Sequence, residues 1–296
     1  MAGRMSWALA RTAAGLWRFN GLRIAAKLRA ATRRSLIVSR PFAGKRLYLD
    51  VARTDTQGLL YFEGLRFVGE RFLLADLVKP GMTVVDVGAN IGYYSLYFAG
   101  LVGSKGKVVA IEPSPENLPE LRLNISANQL SNVRLFESAV GAERGEVAFA
   151  AGINGGILGD DASGTYRVPV APLDELIEDG VDFLKIDVEG FEGAVVEGAR
   201  RLLSQFRPVV FLEFHPHLVD DARSTHERIL SLLGPLYSKI EYYAVAQPHD
   251  LREKIRERYF GENLCRRMQF NSLDDAPVDA RYGTFWIVCR NRHDNQ

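Results

Sequence analysis

The hydrophobic positions of this chain follow two alternating spacings, and the alternation predicts a layered α/β fold. Short runs rich in Val, Ile, Leu and Phe have the composition of buried strands, while the stretches between them carry apolar residues at helical spacing. Strands that alternate with helices form βαβ units, so we expect a doubly wound, Rossmann-like, mostly parallel sheet. The predicted strands are 46–51, 82–87, 107–112, 133–138, 181–187, 208–214, 239–246 and 284–289, and the predicted helices are 66–78, 91–101, 115–128, 191–204 and 222–233.

Two stretches depart from this alternation. Residues 146–150 and 166–170 are short strand candidates on either side of the Gly-rich segment 152–164, which is flexible enough to form a lid over a site. Residues 249–283 carry many charges and predict a helix and a loop near the end of the chain.

The first forty residues are rich in Ala, Leu and Arg and predict a basic N-terminal helical extension. Arg residues gather on one side of a helical wheel and apolar residues lie broadly opposite, which is typical of a helix in a membrane interface. A loosely ordered leader and a helix packed on the body are the alternatives. The predicted organisation is a leader at 1–45, a strand and helix cap at 46–80, and a main domain at 81–290 with 247–283 as a substrate-side insertion.

Composition and charge are those of a globular protein with one basic end. Hydrophobic residues make up 47% of the 296 residues and charged residues 25%, with a formal net charge of +1. Residues 1–49 hold eleven Lys and Arg and no acid, which leaves 26 bases and 36 acids in the rest of the chain. A basic arm on an acidic body argues against a body that binds nucleic acid.

The cysteines and the hydropathy indicate a cellular location. Cys265 and Cys289 are too few for a disulfide framework or a zinc site. We find neither the roughly 20 apolar residues that span a bilayer nor the compact apolar core of a secretory signal. We therefore expect a cytoplasmic protein, with peripheral contact between residues 1–40 and the inner face of the membrane as an alternative.

A tight turn follows the predicted strand 82–87. Gly88 and Gly92 allow close approach of the backbone, and the helix that begins near residue 91 points its amides into the same space. Asn90 stands where a dinucleotide-binding turn has its middle glycine, so a diphosphate is disfavoured. Asp86 adds a carboxylate that suits a cationic amine or sulfonium. This turn therefore indicates S-adenosylmethionine as the cofactor.

Two further strand ends complete this predicted cofactor site. Glu112 ends the strand 107–112, where an acid suits hydrogen bonds to both ribose hydroxyls of a nucleoside. The alternative is an acid that caps the helix after Pro113. Ser138 and Ala139 end the next strand, and we expect them to border the adenine.

Charged residues also end the strands 181–187 and 208–214. Lys185, Asp187 and Glu189 share one face of the first strand, and Glu213 and His215 share one face of the second. A buried pair of Lys185 with a carboxylate that only holds the strand top together is the structural alternative. Histidine accepts a proton near neutral pH, so we predict His215 as the catalytic base, with Asp187 or Glu189 as alternatives.

The same side chains leave a metal site open. Asp187, Glu189, Glu213 and His215 offer oxygen and nitrogen atoms that could hold Mg²⁺ or Mn²⁺. Because the sequence fixes no ligand geometry, we assign no metal from it.

Six of these stretches, taken together, have the motifs of a known family. They are Val85–Ser95, Ile111–Pro113, Ser138–Gly141, Pro169–Leu176, Leu184–Glu192 and Leu212–Pro216. This combination, within about residues 60–215, resembles the FkbM family of S-adenosylmethionine-dependent methyltransferases. The resemblance implies a class I methyltransferase fold with a seven-stranded sheet, and methyl transfer to a hydroxyl oxygen of a small molecule, sugar or lipid-linked acceptor.

The resemblance also implies roles for individual residues. Cofactor binding falls to Asp86, Gly88, Asn90, Gly92 and Glu112. By the same resemblance, Asp187 lies near the methionine end of the cofactor, while Glu189 and His215 lie near the acceptor.

Other functions fit the sequence less well. A nicotinamide dehydrogenase is disfavoured by the missing third glycine of the turn, and a nucleic-acid base methyltransferase by the absence of an Asn/Asp-Pro-Pro-aromatic line. A binding protein that keeps the fold without transferring methyl is the alternative from another class.

Overall fold

The strands of this protein form one large sheet and two smaller ones. The computed structural model describes residues 35–52, 68–150, 157–158, 165–245, 267–270 and 285–291. In chain order the strands are β1 (Ile37–Phe42), β2 (Lys45–Asp50), β3 (Thr83–Val87), β4 (Lys107–Ile111), β5 (Val133–Phe136), β6 (Ala139–Val140), β7 (Gly145–Ala150), β8 (Ile157–Leu158), β9 (Thr165–Ala171), β10 (Phe183–Ile186), β11 (Val209–Phe214), β12 (Lys239–Val245), β13 (Arg267–Phe270) and β14 (Phe285–Arg290).

The large sheet has eight strands in the order β13-β12-β14-β11-β10-β3-β4-β5. Neighbouring strands from β11 to β5 are parallel, and β14 runs antiparallel to β11 and β12 on either side. The seven strands predicted for this sheet are confirmed. The eighth, β13, pairs antiparallel with β12 at the edge. The prediction of a helix and loop at 249–283 is therefore wrong for residues 267–270, because backbone pairing along an open edge needs no apolar run.

The described part of the chain also holds seven α-helices. They are α1 (Val68–Leu77), α2 (Tyr93–Val102), α3 (Leu118–Ala127), α4 (Leu173–Leu176), α5 (Glu192–Glu197), α6 (Arg200–Phe206) and α7 (Ala222–Leu233). The helix predicted at 191–204 is two helices that part between Glu197 and Arg200. Gly198 packs there so tightly that a Cβ atom would lie 2.0 Å from the carbonyl oxygen of Gly141. This close approach accounts for the interruption.

Both faces of the large sheet are buried, as its near-continuous apolar strands predict. On β3, Val84 packs in a cluster with Leu96 and Phe98 of α2. Its neighbour Val85 points the other way, into a second cluster that includes Val195 of α5. Covered faces leave the strand ends as the open part of the sheet, and a ligand site is expected at their carboxyl edge.

The N-terminal hairpin pairs β1 antiparallel with β2 through a two-residue turn at Ala43 and Gly44. Both turn residues have positive φ, 48° and 75°, as the tight hairpin turn requires. The helix predicted at 1–40 is thus wrong for residues 37–40, where strand pairing overrides helical propensity. Residues 1–34, and with them the predicted contact with a membrane, lie outside the described residues. No helix in the described ranges is long and apolar enough to cross a membrane.

The hairpin is joined to the body by asparagine side chains of α3. Asn124 accepts a hydrogen bond from the Tyr48 amide at 2.7 Å and donates to the carbonyl oxygens of Tyr48 and Ile91 at 2.9 and 2.8 Å. Asn128, which caps the end of α3, makes the same paired contact with the backbone of Arg46. The hairpin is therefore tied to the segment that follows β3.

Candidate active site

A cavity of about 600 Å³, including space open to solvent, lies at the carboxyl ends of β3, β4 and β10. Most of the residues predicted for the cofactor line its wall, and so do the two acids predicted beyond β10. These residues are Gly88, Asn90, Glu112, Ser138, Ala139, Asp187 and Glu189. The parallel sheet therefore brings together residues that are up to about a hundred positions apart in sequence.

Gly88 makes the turn after β3 possible. Its φ is 79°, and a Cβ atom there would lie 1.7 Å from the carbonyl oxygen of Asp187 on the neighbouring strand end. The amides of Gly88 and Ala89 both donate to the carbonyl oxygen of Ile111 at 3.0 Å. The turn is thus wedged between β4 and β10, where only glycine fits.

The rest of the turn is held by its own polar groups. Asn90 has a φ of 52°, and its side-chain oxygen accepts a hydrogen bond from the Ile91 amide at 2.8 Å. Gly92 has a φ of 89° at the start of α2, where a Cβ atom would lie 2.7 Å from Leu121. Gly92 therefore shapes the turn from beneath the cavity instead of forming its wall.

Glu112 joins the turn to the strand end of β4. Its carboxylate accepts hydrogen bonds from the amides of Asn90 and Ser114 at 2.7 and 2.9 Å and from the Asn117 side chain at 3.2 Å. Burial raises the pKa of Glu112, and the nearby Asp86 adds to the rise, while the three donors act against it. A carboxylate offers about four acceptor positions, so roughly one is left for a ligand. Glu112 thus fixes the loop before α3 and also lines the cavity. It does not cap α3, because none of its three donors is an amide of that helix.

Asp86 occupies a different place from the one predicted. Its side chain lies on the same face of β3 as Val84, beneath α2, with no exposed surface. Ser95 donates to its carboxylate at 2.6 Å, and the Lys185 ammonium lies 3.3 Å from its other oxygen. The alternation of side chains along the strand therefore directs Asp86 away from the cavity wall, and its predicted direct contact with the cofactor is not supported.

Lys185 links this buried acid to the cavity. Its ammonium lies 3.3 Å from Asp86, 3.2 Å from Asp187 and 4.9 Å from the centre of the Tyr94 ring. Burial would lower the pKa of Lys185, but the charges of Asp187, Asp86 and Glu213 outweigh it and keep the pKa above its ordinary value. The predicted buried ion pair therefore exists, and it orients Asp187 at the cavity edge.

His215, just beyond β11, lies among four carboxyl groups. Its Nδ1 is 2.8 Å from Glu192 Oε1, and Gly190 donates to the same oxygen at 3.0 Å. Its Nε2 is 3.7 Å from Glu189, 3.8 Å from Glu213 and 3.9 Å from Asp187. The sequence analysis assigned no role to Glu192, although this residue closes the segment Leu184–Glu192. The sequence signal that could have found it is a further acid directly after the charged segment of β10, and the structure shows that this acid has no exposed surface.

These acids determine the charge of His215. Burial would lower its pKa, but the hydrogen bond to Glu192 and the charges of Asp187, Glu213 and Glu189 raise the pKa to about 9. At a pKa of about 9 the ring is protonated at neutral pH and has no lone pair to accept a further proton. The predicted role of His215 as the base is therefore disfavoured in this state.

Glu189 differs from its neighbours in backbone and exposure. Its φ is 51°, and Gly190 after it has a φ of 95°. Its side chain is 28% exposed. Burial raises its pKa above the ordinary value, the charge of Asp187 adds to the rise, and His215 partly offsets it. A non-glycine residue in this conformation is uncommon and marks a constrained site.

The family model described as "Methyltransferase FkbM domain" matches residues 86–243, just over half of the chain. This chain belongs to the FkbM methyltransferase family. The match begins at Asp86 and contains β10, β11 and every residue of the charged cluster around His215.

Other relatives of this FkbM domain match over shorter segments. Protein-L-isoaspartate O-methyltransferase 1 of Arabidopsis thaliana is 41% identical over 59 residues, which cover 20% of this chain and 26% of that protein. Ribosomal RNA large subunit methyltransferase E of Acinetobacter baumannii is 52% identical over 46 residues, 15% of this chain and 21% of that protein. The chain thus spans about a quarter of the length of these curated relatives.

One solved structure similar to this chain is the methyltransferase FkbM of Methylobacillus flagellatus KT. It is 20% identical, with a TM-score of 0.42, over 77% of this chain and 53% of the other.

S-adenosylmethionine is the methyl donor of this FkbM domain, and the cavity fits it. Ser138 is 9% exposed, and its hydroxyl has no hydrogen-bond partner within the described residues. Gly88 lines the cavity with backbone atoms, and Glu112 keeps about one acceptor position. Orphaned buried polar groups are rare, so a polar ligand beside Ser138 explains its position.

Proposed function

We propose that this protein transfers a methyl group from S-adenosylmethionine to a hydroxyl oxygen of a small-molecule, sugar or lipid-linked acceptor. The observation that carries the proposal is that the predicted cofactor residues and two acids of the charged cluster line one cavity. Asp187 and Glu189 line the same cavity as Glu112 and Ser138, and both acids also face His215. A cofactor held by the turn after β3 would place its reactive end beside this charged cluster.

When bound, the cofactor would supply a methyl group on a sulfonium. The bond from the acceptor oxygen to the methyl carbon would form as the carbon–sulfur bond breaks, and the sulfur would leave as a neutral thioether. The residues of this chain bind and align the reactants, which accounts for much of such a rate enhancement. They also take the hydroxyl proton, because an alcohol is a poor nucleophile.

We assign this proton to Glu189 in preference to His215 or Asp187. Glu189 lines the cavity, is partly exposed and has a raised pKa, so it binds a proton more readily than an ordinary carboxylate. Asp187 is engaged by the Lys185 ammonium. His215 is protonated when no other cation is near, and its positive charge positions Asp187 and Glu189. The products are then the methyl ether, the thioether cofactor and protonated Glu189.

The names of the shorter relatives suggest protein and ribosomal RNA as other acceptors. The excess of acids over bases in residues 50–296 opposes binding of a nucleic-acid backbone. We therefore place the acceptor among neutral or cationic hydroxyl compounds.

The test has two stages. Titration of the full chain with S-adenosylhomocysteine should show binding, and isotope-labelled S-adenosylmethionine should then label hydroxyl compounds but not matched amines. Glu189→Gln should keep cofactor binding and lose turnover by about 100-fold or more. Glu143→Gln, a change at an exposed glutamate, is the matched control and should keep both cofactor binding and turnover.

Two results would overturn the proposal. A folded protein that binds neither form of the cofactor is not a methyltransferase, and label found only on amine nitrogen excludes the hydroxyl acceptor. Full activity of Glu189→Gln would remove Glu189 as the base and return the role to Asp187 or His215.

A further inference from the structure

We propose that Asp187, Glu213 and His215 bind one divalent transition-metal cation, such as Mn²⁺ or Zn²⁺, beside the methyl acceptor. This inference deepens the proposed function and rests on it for the role of the ion.

The distances in this cluster suit a small ion. One ligand atom from each of the three residues lies within 4.8 Å of the others. Nε2 of His215 is 3.9 Å from the Asp187 oxygen and 3.8 Å from the Glu213 oxygen. Two atoms that each bond one ion at about 2.1 Å are roughly 3.0 Å apart at a right angle and 4.2 Å apart in line. The two distances from Nε2 fall between these limits, and they are too long for direct hydrogen bonds.

The second observation is the hydrogen bond that orients the His215 ring from the side facing away from the cluster. The ring is 4% exposed, and its Nδ1 is fixed by a hydrogen bond to Glu192, a carboxylate with no exposed surface. Nε2 therefore points into the cluster, where no described residue comes within hydrogen-bonding distance of it. Histidines that bind metals almost always donate their other N–H to a carboxylate or carbonyl in this way. Glu192 is therefore placed as the carboxylate that accepts this second N–H of His215.

Charge gives a third argument. Asp187, Glu189, Glu192 and Glu213 all act on His215, and the neighbouring Lys185 ammonium is placed between Asp187 and Asp86. Four carboxyl groups surround this imidazole, and clustered negative charge is expensive inside a protein unless a cation lies among it. A divalent cation at Nε2 supplies that positive charge without disturbing the Lys185 pairs.

The mixture of ligands identifies the class of ion. Imidazole nitrogen suits Zn²⁺ and related transition metals, whereas carboxylate oxygen suits Mn²⁺, Mg²⁺ and Ca²⁺. A set of one nitrogen and two carboxylates therefore favours Mn²⁺ or Zn²⁺ over Ca²⁺. Open positions on the ion would receive the acceptor hydroxyl and lower its pKa, so that Glu189 removes the proton more easily.

The experiment is a calorimetric titration of the full chain, freed of metal with EDTA, with MnCl₂ and with ZnCl₂. The expected result is one ion per chain, with affinity reduced by more than about 100-fold in His215→Asn and in Glu213→Gln. Glu192→Gln removes the negative charge that supports the imidazole and should weaken binding by about 10–100-fold. Glu175→Gln, at an exposed glutamate paired with Arg144, is the control and should bind as the unaltered chain does. Visible absorption of bound Co²⁺ gives a second readout that does not depend on activity.

Three outcomes would overturn the metal site: no binding of either ion, binding that survives in both ligand variants, or binding unchanged by Glu192→Gln. Circular dichroism verifies the fold of each variant. Glu213→Gln decides the question if His215→Asn does not fold, because the Glu213 side chain is partly exposed.

Titration of the same metal-free protein with S-adenosylhomocysteine separates the two proposals. Cofactor binding without metal binding defeats only the metal site. Metal binding without cofactor binding defeats the proposed function and leaves the site standing.

Discussion

The cavity wall and the charged cluster beside it are built by different physical means. We call Gly88, Asn90, Glu112 and Ser138 the turn side, and Lys185, Asp187, Glu192, Glu213 and His215 the charged side. The turn side is shaped by positive φ angles and by hydrogen bonds from backbone amides. At Gly88 it packs so closely on the Asp187 carbonyl oxygen that no side chain would fit. The charged side is held by buried ion pairs whose geometry depends on one ammonium and one imidazole.

This difference assigns cofactor binding to the turn side and the chemistry of methyl transfer to the charged side. A rigid backbone surface recognises one invariant ligand, since its shape does not respond to charge. A cluster of acids balanced by a few cations responds to every proton or metal ion that enters it. We therefore expect substitutions on the turn side to act through shape, and those on the charged side to act through unpaired charge.

The largest effect is expected on the charged side, from Lys185→Met. The change leaves Asp86 and Asp187 without their shared cation, and loss of one partner of a buried ion pair lowers the free energy of unfolding by about 3–5 kcal/mol. Lys107→Met, at an exposed pair with Asp179, should change it by less than about 1 kcal/mol. Urea unfolding measures both. Equal effects of the two variants would show that the charged side is not held by its buried pairs.

Gly88→Ala tests the turn side. The new methyl group would collide with the Asp187 carbonyl oxygen and require a positive φ, so we expect a loss of about 2–4 kcal/mol in the free energy of unfolding. S-adenosylhomocysteine binding should fall with it. Gly145→Ala is the matched control, because the added atom meets only Val170 at 4.0 Å. A stable Gly88→Ala protein that binds the ligand normally would contradict the steric account.

Glu112→Gln tests the turn side at a residue whose carboxyl group also titrates. An amide nitrogen cannot accept hydrogen bonds, so at least one of the three donors loses its partner, at about 1–3 kcal/mol.

The pH dependence of this variant has a definite sign. Glu112 has a folded-state pKa above its ordinary value of 4.5, so the folded protein binds this proton more readily than the unfolded chain does. Its contribution to stability is fully present below pH 4.5 and is lost as the pH rises through the folded-state pKa. The stability advantage of the unaltered chain over Glu112→Gln should therefore shrink from pH 4.5 upward, as followed by urea unfolding. A constant difference across that range would contradict the raised pKa.

The smallest effect is expected from Ser138→Ala. The hydroxyl is buried and has no hydrogen-bond partner within the described residues, so its removal should leave stability within about 0.5 kcal/mol. Calorimetry should nevertheless show roughly threefold to tenfold weaker binding of S-adenosylhomocysteine, the worth of one hydrogen bond. Unchanged binding would mean that Ser138 does not face the ligand. Thr225→Ala, on α7 outside the cavity, provides the control for both measurements.

The strands and the turn were predictable because their causes are local. The apolar runs of the parallel strands mark burial on both faces, and a glycine between a strand and a helix marks a turn. The split between α5 and α6 was not predictable, because its cause is the contact of Gly198 with Gly141 from a distant part of the chain. Likewise, β13 exists through pairing along an edge that only the folded sheet provides.

The site shows the same division. The sequence indicates which strand ends carry polar residues, so the cavity wall was largely foreseen. Which face Asp86 takes, and which nitrogen of His215 meets Glu192, depend on how neighbouring elements pack. The charge of His215 was missed for this reason, since no spacing in the sequence reveals how many acids converge on one ring.

The Asn124 side chain couples the N-terminal hairpin to the turn after β3. One amide group bonds both the backbone of Tyr48 and the carbonyl oxygen of Ile91, next to the cofactor turn. Any ligand that orders the turn must therefore stabilise the hairpin by the same coupling free energy with which the hairpin favours the ligand. The Tyr48 amide, more than 40 positions before Ile91 in sequence, becomes a reporter whose hydrogen exchange slows when the cofactor binds.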